Sequence, residues 1–210
     1  EREQRIKAYA AAGAEATAVD SIVLAVKPQQ MREAARALRP AIQSQLVITI
    51  AAGIRCRDLS RWLGGYTRIV RVMPNTPALV LAGISGLYAM PAVGASDRAR
   101  AEEIMSAVGT TLWLEREAQM DAITAVSGSG PAYVFYFIEA LQQAAADLGF
   151  NTADARRLAL ETFAGAVRLA QMTGEEPATL RARVTSKGGT TERALGVMDA
   201  RALKEIVGRA

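Results

Sequence analysis

The chain reads as an α/β domain followed by an all-helical one, and three observations carry that reading. Up to about residue 115, short and almost wholly apolar β-branched runs alternate with helical patterns, as the strands and crossovers of a parallel sheet require. After residue 116 no strand signal returns, and long amphipathic periods dominate. Half of the 210 residues are apolar, enough to bury a sizeable core in one large or two modest domains. The boundary falls near Arg116 without a flexible linker, giving domains of residues 1–115 and 116–210.

Each element has its own signal. Residues 2–12 have helical spacing with Gly13 as a stop, and residues 21–26 (SIVLAV) read as a strand buried on both faces. If residues 14–17 were a strand parallel to it, only residues 18–20 would connect the two, whereas a parallel crossover takes about a dozen. Either 14–17 is not a strand or residues are missing there; the continuous numbering and a start other than methionine favour dropped segments. Residues 29–38 place Met31, Ala34, Ala35 and Leu38 on one helical face, closed by Pro40. A buried strand over 46–50, a short helix over 58–63 and strands over 68–73, 85–89 and 110–114 follow, with a helix over 96–108 capped by Ser96. In the second half, 131–148 carries Val134, Phe137, Ile138, Leu141, Ala145 and Leu148 on one stripe, and 152–172 carries Leu158, Phe163, Ala166, Val167 and Ala170 on another. Pro131 and a capping Thr152 start these helices; Gly149 and Gly174 stop them.

Composition removes several function classes. The formal charge of +4 is scattered among acids, without a basic block or interleaved aromatics, so nucleic acid is not an expected partner. A single cysteine, Cys56, excludes an internal disulfide framework and fits a reducing cytosol, and no residue set has metal-site spacing. With no histidine, a Ser-His-Asp triad is excluded, and any proton transfer must use a hydroxyl, lysine, carboxylate or water. The opening EREQRIKAY is not a signal peptide. Residues 72–96 carry no charge, yet Pro74, Pro77, Gly83, Gly86, Pro91 and Gly94 punctuate them too often for a membrane helix. A buried strand-and-turn region is expected there instead.

The chemistry is concentrated in a few motifs. In VTSKGGTTERAL, residues 184–195, a glycine turn opens into an amphipathic helix that Thr190 or Thr191 can cap, and free N–H groups with the helix dipole suit a carboxylate or phosphate. An ordinary capped helix start has the same local pattern. LAVKPQ, 24–29, sets Lys27 at the carboxyl end of a strand, where doubly wound sheets bind ligands; a solvated lysine fits equally. Lys7, Lys27, Lys187 and Lys204 are the only lysines, and two of them sit in motifs. IAAG, 50–53, ends the next strand in small residues that let a flat ring or pyrophosphate approach, or that simply pack. VMPNTP, 72–77, fixes Asn75 and Thr76 between two prolines on a rigid loop. SGSGPAY, 127–133, lacks the last glycine of a dinucleotide fingerprint and follows a helical stretch, and Lys187 to Thr190 is not a P-loop. Both read as helix starts with exposed backbone donors.

These motifs in this order, on an α/β half followed by a helical half, resemble the pyrroline-5-carboxylate reductase family over nearly the whole chain. The most specific stretch runs from Pro177 through Leu180, Val184, Thr185, Ser186, Gly188, Gly189, Thr191, Ala194 and Leu195 to Asp199.

The resemblance implies a Rossmann-like first domain, an all-α dimerisation domain, and hydride transfer from NADPH, less often NADH, to the C=N carbon of 1-pyrroline-5-carboxylate, giving L-proline. It implies that Ala25, Val26, Lys27 and Pro28 with Ile50 and Ala52 line the cofactor, that Asn75 lies near the nicotinamide, and that Gly189, Thr190 and Thr191 hold the substrate carboxylate. Thr191 would be the group that orients or relays the proton, with water as the competing donor. No metal is implied. A cytoplasmic homodimer is expected, assembling in many members into a decamer, with long helices interleaving between subunits. Two departures stand out: the family's first strand and glycine-rich phosphate turn are not found before Glu1, and its 2′-phosphate contacts cannot be carried over. A related β-hydroxyacid dehydrogenase or imine reductase would share the architecture, but VTSKGGTT is not usual there. A helical dimerisation module that senses a ligand without turnover is the non-enzymatic alternative.

Overall fold

The computed structural model describes residues 14–210, so the helix expected over 2–12 lies outside the described residues. Two compact units are present, Glu1–Phe135 and Tyr136–Ala210, divided within a long helix.

The first unit is built on a five-stranded sheet in the order β1 (Ser21–Leu24), β2 (Leu46–Thr49), β3 (Ile69–Met73), β4 (Gly83–Ala89), β5 (Gly109–Trp113). Strands β1 to β3 are parallel, β4 is antiparallel to β3, and β5 is parallel to β4. The carboxyl ends of β1, β2 and β3 therefore share one edge of the sheet. On one face α1 (Met31–Leu38) and α2 (Cys56–Trp62) pack Met31, Ala35, Leu38 and Leu59 against Val47 and Ile69. On the other, α3 (Ala95–Ser106) sets Ala101 and Met105 against Leu46, Ile48, Val70 and Leu87. Alternate residues of β2 thus enter different cores, which is why its sequence is apolar without a polar face.

Burial on both faces was the expectation for the SIVLAV run too, and here the structure differs. β1 is the outer strand of the sheet among the described residues, and Val23 is 44% exposed. Nor do residues 14–17 form a strand. Ala14–Ala18 is a 3-10 turn, held to the start of β2 by Gln45 Nε2, which donates to the Ala16 carbonyl at 3.0 Å. The short connection to β1 therefore joins no pair of parallel strands.

Two caps also move. Helix α3 starts on Gly94, whose extended backbone serves as N-cap, and Ser96 lies inside the first turn. In α6 (Thr152–Thr173) the cap is Asn151, which is extended and whose side chain accepts from the Asp154 N–H at 2.9 Å. Gly174 ends α6 in the left-handed conformation, as expected of a C-terminal glycine.

The first unit closes with α4 (Gln119–Ile123), which continues through one π-turn, Thr124–Gly128, into α5 (Gly130–Asp147). The second unit holds the remainder of α5, then α6, α7 (Pro177–Arg183), α8 (Thr190–Ala200) and α9 (Leu203–Arg209). Helix α6 buries only Ala155 and Ala159, and Val167, Leu169 and Met172 on it are exposed.

Arg68 clamps α3 to the sheet. Its Nε donates to Asp97 Oδ2 at 2.6 Å and its Nη2 to Oδ1 at 2.7 Å, while Nη1 donates to the Ser44 carbonyl. The hydrogen bonds from Arg68 hold the Asp97 carboxyl below its ordinary range. A carboxylate depressed in the folded state contributes stability above its unfolded pKa and loses it as pH falls through the folded value. Asp97→Asn should therefore cost roughly 1–3 kcal/mol at neutral pH in urea unfolding. The gap between variant and parent should close in acid; a gap of constant size would show that the charge of Asp97 is not what matters.

Candidate functional site

At the shared edge of the sheet, three exits lie side by side because β1, β2 and β3 are parallel neighbours. β1 leaves through Ala25, Val26 and Lys27 into a 3-10 turn, Pro28–Gln30, whose first residue follows Lys27 directly. The Lys27 carbonyl accepts from the Gln30 N–H at 2.9 Å, and its side chain is exposed with no ion pair among the described residues. β2 leaves through Ile50, which donates to the Leu24 carbonyl at 3.2 Å, and then through Ala51, Ala52 and Gly53. Ala52 is exposed, and Gly53 takes φ +75°, a turn that glycine makes without strain. β3 leaves through Pro74 to Asn75, which caps the 3-10 segment Thr76–Val80. Asn75 Oδ1 accepts from the Ile84 N–H at 3.0 Å, which fixes the side chain and leaves its NH2 as a donor.

All seven residues expected to line a cofactor thus lie at one sheet edge. The set offers backbone open at two alanines, one cation and one oriented amide. That chemistry fits a dinucleotide: small residues admit its flat and anionic parts, lysine complements a phosphate, and an amide matches a carboxamide.

The expected anion turn lies in the second unit. Gly189 is the N-cap of α8, extended at φ −80° and ψ 173°, so Thr190 and Thr191 are the first two helical residues and neither side chain caps the helix. The capping expected of the threonines is not made; the hydrogen bonds at this turn serve the two glycines that precede the helix. Gly188, at φ +74°, donates its N–H to Glu192 Oε2 at 2.7 Å, and Gly189 donates to the Ser186 carbonyl at 3.1 Å. Among the described residues the first-turn N–H groups of Thr190 and Thr191 meet no acceptor, which leaves them available to one. Glu192 takes only the donor that precedes them; its signal was the acid at the third helical position.

SGSGPAY holds a helix start as expected, α5 beginning at Gly130, but it is not a fresh one: a π-turn, Thr124–Gly128, leads into it, and the Ser129 N–H, expected to be exposed, donates to the Thr124 carbonyl at 2.8 Å. The segment packs closely: a Cβ on Gly128 would lie 2.8 Å from Met73 Cε, the end of a flexible side chain, and one on Gly86 of β4 2.9 Å from Ile123 Cγ2.

One cluster had no signal in the sequence. Glu117 Oε1 accepts from the Cys56 N–H at 2.7 Å and from Arg71 Nη1 at 3.0 Å. Arg71 is 5% exposed and Cys56 2%. Burial, followed by the charge of Glu117, pushes the Cys56 thiol up to about 12, so it is neither a nucleophile nor a ready metal ligand. Among the described residues no group of His, Cys, Asp or Glu could hold a metal ion, and no helix is long and apolar enough to cross a membrane.

Comparison with known proteins bears on this arrangement. Residues 117–210 match the family described as "Pyrroline-5-carboxylate reductase dimerisation", and residues 1–53 match "NADP oxidoreductase coenzyme F420-dependent". The chain is 49% identical over 199 residues to a pyrroline-5-carboxylate reductase of Pseudomonas aeruginosa, covering 94% of this chain and 73% of the relative. Its structure is similar to the pyrroline-5-carboxylate reductase of Coxiella burnetii, with TM-score 0.88 and 43% identity over 92% of this chain and 73% of the other. The Plasmodium falciparum pyrroline carboxylate reductase, solved with NADP bound, gives TM-score 0.85 and 32% identity over 92% and 74%. A Rossmann-like sheet with a helical second half, and relatives matched along both, place the chain in the pyrroline-5-carboxylate reductase family.

Proposed function

We propose that this chain reduces 1-pyrroline-5-carboxylate to L-proline with NAD(P)H, the last step of proline biosynthesis. The observation that carries the proposal is identity of 49% to a reductase of that name over 94% of the chain, on a fold whose parallel strand ends expose a dinucleotide-compatible edge. Residues 1–115 form the dinucleotide-binding half and 116–210 the half for dimerisation and substrate.

In this reading Ala25, Val26, Lys27, Pro28, Ile50, Ala52 and Asn75 hold the cofactor, NADPH with NADH as the second choice. When bound, it supplies the hydride that the C=N carbon accepts. The chain's own residues bind and orient. At the turn that Gly189 makes, the backbone N–H groups of Thr190 and Thr191 hold the substrate carboxylate, and the Thr191 hydroxyl orients or relays the proton that the imine nitrogen gains. A cyclic imine is readily protonated near neutral pH, so alignment of donor and acceptor supplies most of the catalysis, and a chain without histidine suffices. A homodimer forms through the helical half, where exposed Leu158, Leu169 and Met172 on one face of α6 are an apolar surface of the kind a partner subunit covers. The cytoplasm is its compartment, and the decamer is the larger assembly.

The direct test follows NADPH absorbance with and without pyrroline-5-carboxylate and identifies the product chromatographically. Substrate-dependent loss with L-proline formed is expected; NADPH binding without turnover would point to another imine or keto substrate. Thr191→Ala should lower kcat/KM for pyrroline-5-carboxylate by about 10²-fold while NADPH affinity stays within about twofold. Parental kinetics in that variant would remove Thr191 from the mechanism. Lys27→Ala should weaken NADPH by about tenfold, one charge-assisted contact, with little change in substrate KM. If it does neither, Lys27 is a solvated lysine in a turn.

A further inference from the structure

We propose that Glu117 is a positioning residue for the cofactor, one carboxylate oxygen that fixes the exits of β2 and β3 relative to each other; this rests on the cofactor edge proposed above. Two bonds converge on Oε1, from the Cys56 N–H at 2.7 Å and from Arg71 Nη1 at 3.0 Å. Each donor belongs to a different exit. Cys56 opens α2, three residues after Gly53, so its N–H anchors the turn that carries Ala52. Arg71 lies within β3, just upstream of Met73, Pro74 and Asn75.

The arrangement is costly unless it is used. Arg71 is buried beside a small cavity that Arg55, Glu117 and Asp121 also line, and a buried cation needs a partner; Glu117 is the one it bonds. The local sequence does not supply the α2 cap either: Arg55 is the N-cap residue and makes no side-chain cap bond. Glu117, 61 residues further along the chain, supplies both needs with one atom. It sits just before α4, which continues into the π-turn whose Gly128 packs on Met73. The β3 exit is thereby fixed from two directions, by a charge pair upstream and by a methionine contact at its end.

A purely structural role and a positioning role separate experimentally. Glu117→Ala leaves Arg71 buried without its partner and should lower Tm. Replacing both members, Arg71→Met with Glu117→Leu, removes the unpaired charge and should return Tm toward the parent. If Glu117 positions the two exits, NADPH affinity, read by fluorescence titration, stays weaker by about tenfold in both variants. The KM for pyrroline-5-carboxylate should remain within about twofold, whereas simple loss of folded protein would lower kcat and leave affinity alone. Cys56, the sole cysteine, reports the tie independently of turnover. It should react faster with a disulfide reagent in both variants, because both lose the α2 cap and the carboxylate charge that raises the thiol. A double variant with parental NADPH affinity and parental thiol protection would overturn the proposal. Because neither readout needs turnover, a parent that binds NADPH without reducing pyrroline-5-carboxylate overturns the functional reading alone.

Discussion

Strand β2 is the member on which the first unit depends. All four residues of Leu46–Thr49 are buried, since β1 and β3 flank it and helices cover both its faces. Such a strand can stop only where backbone groups find other partners, and here the end is managed locally. The Ala51 N–H donates to Thr49 Oγ1 at 3.3 Å, and Gly53 takes the turn. The small residues of the exit follow from that geometry: backbone leaving a fully covered strand emerges where little side-chain volume is tolerated. The same small residues leave the backbone open to a ligand.

Charge ties elements together at both ends of the sheet, Arg71–Glu117 near the strand exits and Arg68–Asp97 at the amino ends of β2 and β3. The pairs Arg71–Glu117 and Arg68–Asp97 are drawn from separate elements and are at least partly buried, so losing one partner strands the other. By contrast Lys204–Asp199, at 3.9 Å on exposed side chains, and Arg209–Glu205 in the last helix contribute little. In the second unit the stabilising apolar contacts are fewer, with α6 burying only two alanines, consistent with a surface that a second subunit covers.

Much of this was legible in the sequence, for identifiable reasons. Leu46 to Thr49, the α1 face of Met31, Ala35 and Leu38, and the glycine stop at Gly174 follow from periodicity and backbone preference, which act locally. The three strand exits were legible for the same reason, as each follows an apolar run. What was not legible is what depends on partners distant in sequence. SIVL looks as apolar as LVIT, yet Val23 is exposed because position in the sheet, not composition, decides burial. SGSG looks like a helix start and α5 does begin at Gly130; the π-turn that runs up to it, with Gly128 close to Met73, carried no local signal. Helices α7 and α9, seven residues each, are too short for a period to declare itself. Glu117 carried no signal at all, since nothing local distinguishes it from Glu115.

Hydrogen exchange of the intact protein, with and without NADPH and then with L-proline added, tests the central claim most directly. Our account predicts that NADPH slows exchange at residues 25–28, 50–53 and 74–78 together, and that proline added to that complex slows exchange at 188–191. Protection by NADPH that leaves those three strand exits unchanged would contradict it.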